Sequence, residues 1–225
     1  MKTKKNASLL CKIAAALAAC ALAAFAVAGC SAANNNANTV TENNVSNTAV
    51  NINDNPNALA PGTSMLTAKQ VVQIQNRIIA LINKDRMAKL KPAKGKKKSS
   101  LKLKTAPKLK MSAAIRSSEL RTYWSHTRPN GTSWKTALKK VGVRVGKVTI
   151  GENLANSTFA MQDAYSTADV NSYAQQIHDD LMASPTHKAN ILKKKYAYIG
   201  VSVYQCMEYG QLSLYVCEHF CNKKG

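Results

Sequence analysis

Toward its C-terminal end the chain carries two runs in which apolar residues alternate with smaller or polar ones. Ile199, Val201 and Val203 form the first, Leu212, Leu214 and Val216 the second, and Glu208-Tyr209-Gly210 lies between them. A period of two puts each set on one face of a strand, and the intervening turn residues predict an antiparallel hairpin. Upstream the period changes. Val71, Ile74, Ile78, Leu81 and Ile82 recur at helical spacing behind Thr67-x-x-Gln70, which has the form of a capping box and predicts a helix from about Ala68 to about Leu90. Shorter helical stripes start at Ser112, leading toward Trp124, and at Ser133, where Trp134, Leu138 and Val141 precede Gly142. A further stripe, Val170 to Leu181, must stop near Ser184-Pro185, and that pair opens the next helix with Ser184 as N-cap. Helices first and an antiparallel sheet last define an α/β (α+β) class.

None of this involves the first residues, which read as an export signal. Lys2, Lys4 and Lys5 precede an apolar segment from Leu9 to Val27, broken only by Lys12 and ending in Val27-Ala28-Gly29-Cys30. The run is close to the roughly 20 residues that span a bilayer. Its alanine richness, Lys12 and small-residue end favour cleavage over retention. Small residues before a cysteine suit a lipoprotein peptidase, so residues 1–29 are expected to be removed and Cys30 to carry lipid. Residues 30–64, rich in Asn, Ala, Thr and Ser, read as a disordered tether. One domain then occupies residues 65–225, held by its lipid anchor on the extracellular face of the cell membrane.

Loss of four lysines with the signal leaves 28 of the 32 basic residues against all 11 acids. Lys84 to Lys110 alone contains twelve basic residues and one acid, Asp85, so its central part, about 91–110, is expected as an exposed Lys-rich loop. Lysine runs neutralise phosphates. This run holds no aromatic residue to stack on bases, and an exported protein meets little nucleic acid. Anionic cell-wall polymers or lipid headgroups are the expected partners. Cys206, Cys217 and Cys221 remain besides Cys30, and three thiols cannot all pair internally, so no disulfide framework builds the domain.

Three segments carry the chemistry: Trp124-Ser125-His126-Thr127-Arg128-Pro129-Asn130-Gly131, Gly151-Glu152-Asn153-Leu154-Ala155, and Ser184-Pro185-Thr186-His187-Lys188-Ala189-Asn190-Ile191-Leu192. In this order, and followed by Ile199-Gly200-Val201, they resemble the bacterial branch of the CAP superfamily, which includes cysteine-rich secretory, antigen 5 and pathogenesis-related proteins (SCP-like domains). The resemblance runs from about Met65 to Phe220 and takes in Asn83 and Arg86 of the first helix. It implies a three-layer α-β-α sandwich with a small, mainly antiparallel sheet and a cleft over it. Carried over residue by residue, the family's cleft histidines and one glutamate fall on His126, His187 and Glu152. The fourth member, a second acid in the family, has no clear match, and Asp180, nearest in angle to the Ile177 and Leu181 stripe, is the candidate.

Two imidazoles and a carboxylate from separate segments are a ligand set for zinc or a similar divalent ion, or a general acid and base. The chain has no Gly-x-Ser-x-Gly elbow and no His-Glu-x-x-His helix. A non-catalytic cleft for a small ligand or partner is therefore the leading expectation, and a metal-dependent or His/Glu-dependent hydrolase of the cell envelope is the alternative. Local roles stay open beside these: His126 as a helix-end cap, Glu152 as a strand-end acid, His187 as a first-turn group. His178 has no motif behind it and is expected at the surface. His219 alternates with Cys217 and Cys221, so the three share a strand face, either as a soft-metal set or as ordinary packing.

Overall fold

The computed structural model describes residues 62–224. The expected signal peptide, Cys30 and the expected tether up to Pro61 lie outside the described residues. Ordered pairing starts at Ser64, whose N–H donates to Gln162 O at 2.8 Å. Helix α1 spans Ala68–Lys89. Its capping box forms as the sequence predicts: the Gln70 N–H donates to Thr67 Oγ1 at 3.3 Å, and the Thr67 N–H donates back to Gln70 Oε1 at 2.8 Å. Ile74, Ile78, Leu81 and Ile82 are buried along one face.

The lysine-rich stretch behind α1 is more structured than a solvated loop. Leu101 and Leu103 are buried while the lysines between Lys94 and Lys104 are exposed. Two polar residues of α1 hold the stretch from behind. Asn83 exchanges a pair of hydrogen bonds with the Leu103 backbone, Nδ2 to O at 3.1 Å and N–H to Oδ1 at 2.7 Å. Arg86, 1% exposed, donates to the carbonyls of Leu101, Ile191, Lys193 and Tyr196 at 2.6–3.2 Å. Burial without an acidic partner pulls its pKa down to about 10. The stretch then forms β1, the two residues Lys104–Thr105. Helix α2 follows at Pro107–Leu120, five residues earlier than the apolar stripe suggests. Pro107 fills the first helical position, where its missing N–H costs nothing, but the lysines of the first turn hide the period.

Helix α3 covers Lys135–Lys140, and Gly142 reverses the chain behind it with φ +80°. Strand β2, Ile150–Ala160, has no clean alternation in the sequence because its buried side includes Asn153 and Ser157. Helix α4, Thr167–Ala183, breaks at Ser184, and Pro185 opens α5, Pro185–Ile191. The hairpin closes the chain as β3, Tyr198–Glu208, and β4, Gln211–Cys221. Its two-residue turn puts Tyr209 at φ 51° and Gly210 at φ 72°, the double positive φ that matches the twist of the flanking strands.

The sheet order is β1-β3-β4-β2, parallel between β1 and β3 and antiparallel elsewhere. Alternation along the strands feeds two opposite cores. Val201, Val203, Leu214, Val216 and Phe220 meet α1 and α4 on one face. Leu154, Tyr215 and Cys217 meet Ala113 and Leu120 of α2 on the other, where Cys221 packs with Leu109 of α2 and Leu138 of α3. The result is three layers, helix, sheet and helix. Contact across the α2 face is closest at Gly200, where an added Cβ would collide with the backbone of Leu109 and Lys110. Among the described residues, no helix is long and apolar enough to cross a membrane.

Candidate functional site

Strand β2 places Glu152 opposite His219 of β4, side chains directed to the α2 face of the sheet. Helix α2 brings Arg116 to the same point, and the segment after α2 brings His126 over it. The Glu152 side chain is 1% exposed and accepts from three nitrogen donors, with the Cys217 thiol a fourth at 3.8 Å from Oε2. Arg116 Nε reaches Oε2 at 3.0 Å, His219 Nε2 reaches Oε2 at 3.0 Å, and His126 Nδ1 reaches Oε1 at 2.8 Å. Burial by itself would raise the Glu152 pKa. The bonds from His126 and His219, with the charges of His219 and Arg116, outweigh it and hold the carboxyl at about 2.

The network continues on both sides. His219, fully buried, meets Ser112 Oγ through Nδ1 at 2.7 Å. Burial holds His219 below its ordinary pKa against the pull of Glu152. A neutral ring that donates from Nε2 to the carboxylate accepts at Nδ1, and the Ser112 hydroxyl, 2.9 Å from Leu109 O and 2.7 Å from His219 Nδ1, has one proton to share between those two acceptors. Arg116, with its side chain fully buried, also donates to Glu119 Oε2 at 2.6 Å and to Ser125 O, next to His126. Arg128 clamps Glu119 from the solvent side, Nη2 to Oε1 at 2.6 Å. The segment bearing His126 is thus fixed at both ends by arginines that share Glu119.

The structure joins His126 and Glu152 directly. It brings His187, on α5, within electrostatic reach: burial first and the charge of His126 second lower the His187 pKa. Asn153 holds α5 in place, its Nδ2 donating to His187 O at 3.2 Å. Asn190 completes the clamp, its Nδ2 donating to Glu152 O at 3.2 Å and to Asn153 Oδ1 at 2.9 Å. Asp180 takes no part, since it is exposed on α4, off the buried stripe. The sequence expectation for His178 is corrected. It lies on that stripe, 3% exposed, with Nε2 3.0 Å from Asp85 Oδ2.

The strand face shared by Cys217, His219 and Cys221 exists as the alternation predicts, and all three cysteines of the described domain are free thiols. Glu152, Cys217 and His219 bring ligand-type atoms within 4.8 Å of one another, a spacing that could hold a metal ion. The cation resident there is Arg116, which would compete with any ion for Glu152 Oε2. Burial also pushes the Cys217 thiol well above its ordinary pKa, against the thiolate that a metal requires. His126 uses Nδ1 on Glu152 and keeps Nε2 free of that bond, the usual way a carboxylate orients a ligating imidazole. Sequence reasoning missed Arg116, Ser112 and the part played by His219.

The sequence profile of the CAP, cysteine-rich secretory protein, family matches residues 79–220. The chain belongs to that family. Among solved structures it is similar to an extracellular protein containing a SCP domain from Bacillus anthracis, at 21% identity over 72% of this chain and 45% of that one, TM-score 0.47. It is also similar to a cysteine-rich secretory protein from Staphylococcus aureus, at 18% identity over 71% of this chain and 42% of that one, TM-score 0.47. A third is an outer surface protein from Borrelia burgdorferi, at 16% identity over 69% and 95%, TM-score 0.43. The chain thus spans less than half the length of the first two. No curated protein matches it.

Proposed function

We propose that this chain is an exported, lipid-anchored CAP domain that binds a small ligand between His126 and His187 without turning it over. The saturation of Glu152 carries this reading. A carboxylate held near pKa 2 by Arg116, His126 and His219 neither gives nor takes a proton close to neutrality, where acid–base catalysis needs a group poised near the working pH. What it does well is fix one orientation of His126 and leave Nε2 for a ligand. If the ligand is a divalent ion such as zinc, His126 and His187 are the residues that hold it, with Glu152 orienting His126 from behind. A hydrolase would have to draw its base from His126 or His187 and its nucleophile from solvent, because Ser112, the hydroxyl of the histidine–glutamate chain, is fully buried.

Anchoring through Cys30 on the extracellular face is supported by Val27-Ala28-Gly29-Cys30 and by the secretory character of the family. Contact of the lysine run with anionic wall polymers or lipid headgroups is supported by the way Asn83 and Arg86 fix its backbone while its lysines stay exposed.

Metal analysis of the purified full chain, beside a mass-spectrometric survey of co-purifying small molecules, tests the cleft. A ligand retained by the wild type and lost from both His126→Ala and His187→Ala, at unchanged melting temperature, is the expected result. Retention by both variants places the ligand elsewhere, and conversion of the bound molecule over time supports the hydrolase. Zinc affinity weaker than about millimolar removes the metal form of the reading.

A further inference from the structure

Lys108, Arg144, Lys147 and Lys223, with Gly142 and Val148, line one open cavity of about 390 Å³. No acid is part of its wall. The four cations come from three segments far apart in sequence: the first turn of α2, the turn behind α3 and the tail behind β4. Backbone contacts hold those segments together. Lys108 Nζ donates to Gly142 O at 3.3 Å. Thr149 and Asn222 exchange two bonds, Thr149 N–H to Asn222 Oδ1 at 2.9 Å and Asn222 N–H to Thr149 O at 3.1 Å, which fixes the tail bearing Lys223 beside Lys147. The positive charge is therefore concentrated by the fold and not only by composition.

The local arrangement opposes ordinary charge preference. Helix α2 starts with no acid in its first turn and no side-chain cap at Ala106, so Lys108 adds a cation to an end that is already positive. Like charges gathered around one cavity repel one another, the more so at low salt. A bound anion relieves that repulsion. An arginine fork with several lysines suits a group with many oxygens and more than one charge, which a phosphate offers and a single carboxylate does not.

We propose that this cavity is a phosphate-binding site whose occupant is the phosphate backbone of an anionic envelope polymer. This goes beyond the lysine-run reading, since of the four cations only Lys108 belongs to that run. A bilayer surface is the poorer occupant. The exposed large apolar residues of the domain are Val72, Met111, Tyr123, Trp124 and Tyr209, none of them in the cavity wall, whereas membrane-surface sites pair cations with inserted apolar groups.

Calorimetric titration of the full chain with inorganic tripolyphosphate, at low and at physiological salt, tests the site. The expected result is saturable, salt-sensitive binding, tighter than that of orthophosphate because several cations engage one chain. Arg144→Gln with Lys147→Gln should weaken it about tenfold, while Lys96→Gln, Lys97→Gln and Lys98→Gln together cost less than about twofold. All of these side chains are exposed, so melting temperatures should not move. His126→Ala and His187→Ala should leave the titration unchanged, which separates this site from the histidine cleft. Equal losses in the cavity and loop variants would show a diffuse field and overturn the site. No detectable binding at low salt would do so too. Equal affinity for orthophosphate and tripolyphosphate would overturn the polymer as occupant. Binding to phosphatidylglycerol vesicles alone, untouched by the cavity variant, would assign the charge to the membrane instead.

Discussion

His126 Nδ1 and Glu152 Oε1 lie 2.8 Å apart across the surface of the domain, the imidazole side chain 57% exposed and the carboxylate 1%. The buried partner sets the direction of the exposed one, and Arg116 beneath them makes Glu152 a structural anion as well. Glu152→Gln removes one of the two carboxylates that balance the buried Arg116 guanidinium and leaves only Glu119, which Arg128 also shares, at an expected cost of about 3 kcal/mol, the lower end for a broken buried pair. Urea unfolding measures this, and a loss under about 1 kcal/mol would contradict the role given to Arg116. The Glu152 pKa falls from an ordinary 4.5 to about 2 in the folded chain. Its contribution is therefore complete above about pH 4.5 and lost as pH drops toward 2, and the variant should show a shallower acid transition.

Glu218 behaves in the opposite sense. It is fully buried on the α4 side of the sheet, where it accepts from Asn153 Nδ2 at 2.9 Å while Oε1 has no hydrogen-bond partner. Burial, opposed by the Asn153 bond, moves its pKa up to about 7 from 4.5. A raised carboxyl favours folding in its protonated form, so its contribution is complete below about pH 4.5 and lost as pH rises through 7. Glu218→Gln should flatten the fall of stability between pH 5 and 8. Thermal melts across that range check this, and an identical slope in wild type and variant would refute it.

Gly200→Ala should be the most damaging single-methyl change in the sheet. Its new carbon meets the α2 backbone at Leu109 and Lys110, which cannot rotate aside as a side chain would. We expect a loss of about 3 kcal/mol, at the upper end of overpacking costs. A variant with wild-type melting temperature would show that α2 can lift off β3 freely.

Tyr209 is fully exposed at φ 51°, a conformation that disfavours a bulky side chain. Tyr209→Asn should keep the turn, which asparagine accepts readily, and stabilise the domain by about 0.5–1 kcal/mol in chemical denaturation. Destabilisation would mean that the Tyr209 ring makes contacts of value.

The elements legible in the sequence are those whose signal is local. Thr67 and Gln70 announce α1 because a capping box needs only four residues, and Ser184-Pro185 marks the break between α4 and α5 for the same reason. The hairpin is legible because its inward residues are uniformly apolar. Strand β2 is not, because Asn153 and Ser157 occupy buried positions where a pattern reader expects Val or Ile. His126 and Glu152 could be named from their motifs. The place of His219 beside Glu152 depends on the β2–β4 register, which no short segment contains. Arg116 has the same character: a helical arginine reads as solvent-facing until the partner strand puts a carboxylate beneath it. Asp180 lies close in angle to Ile177 and Leu181, yet the packed stripe turns away from it and includes His178 instead.

The clamp around Asn153 separates two tasks that a cleft usually asks of the same residues. His126 is aimed from the α2 side through Glu152, whereas the backbone of His187 hangs from Asn153 on the far side of the sheet. A change at Asn153 would therefore shift the α5 backbone that carries His187 and leave the His126–Glu152 bond as it is.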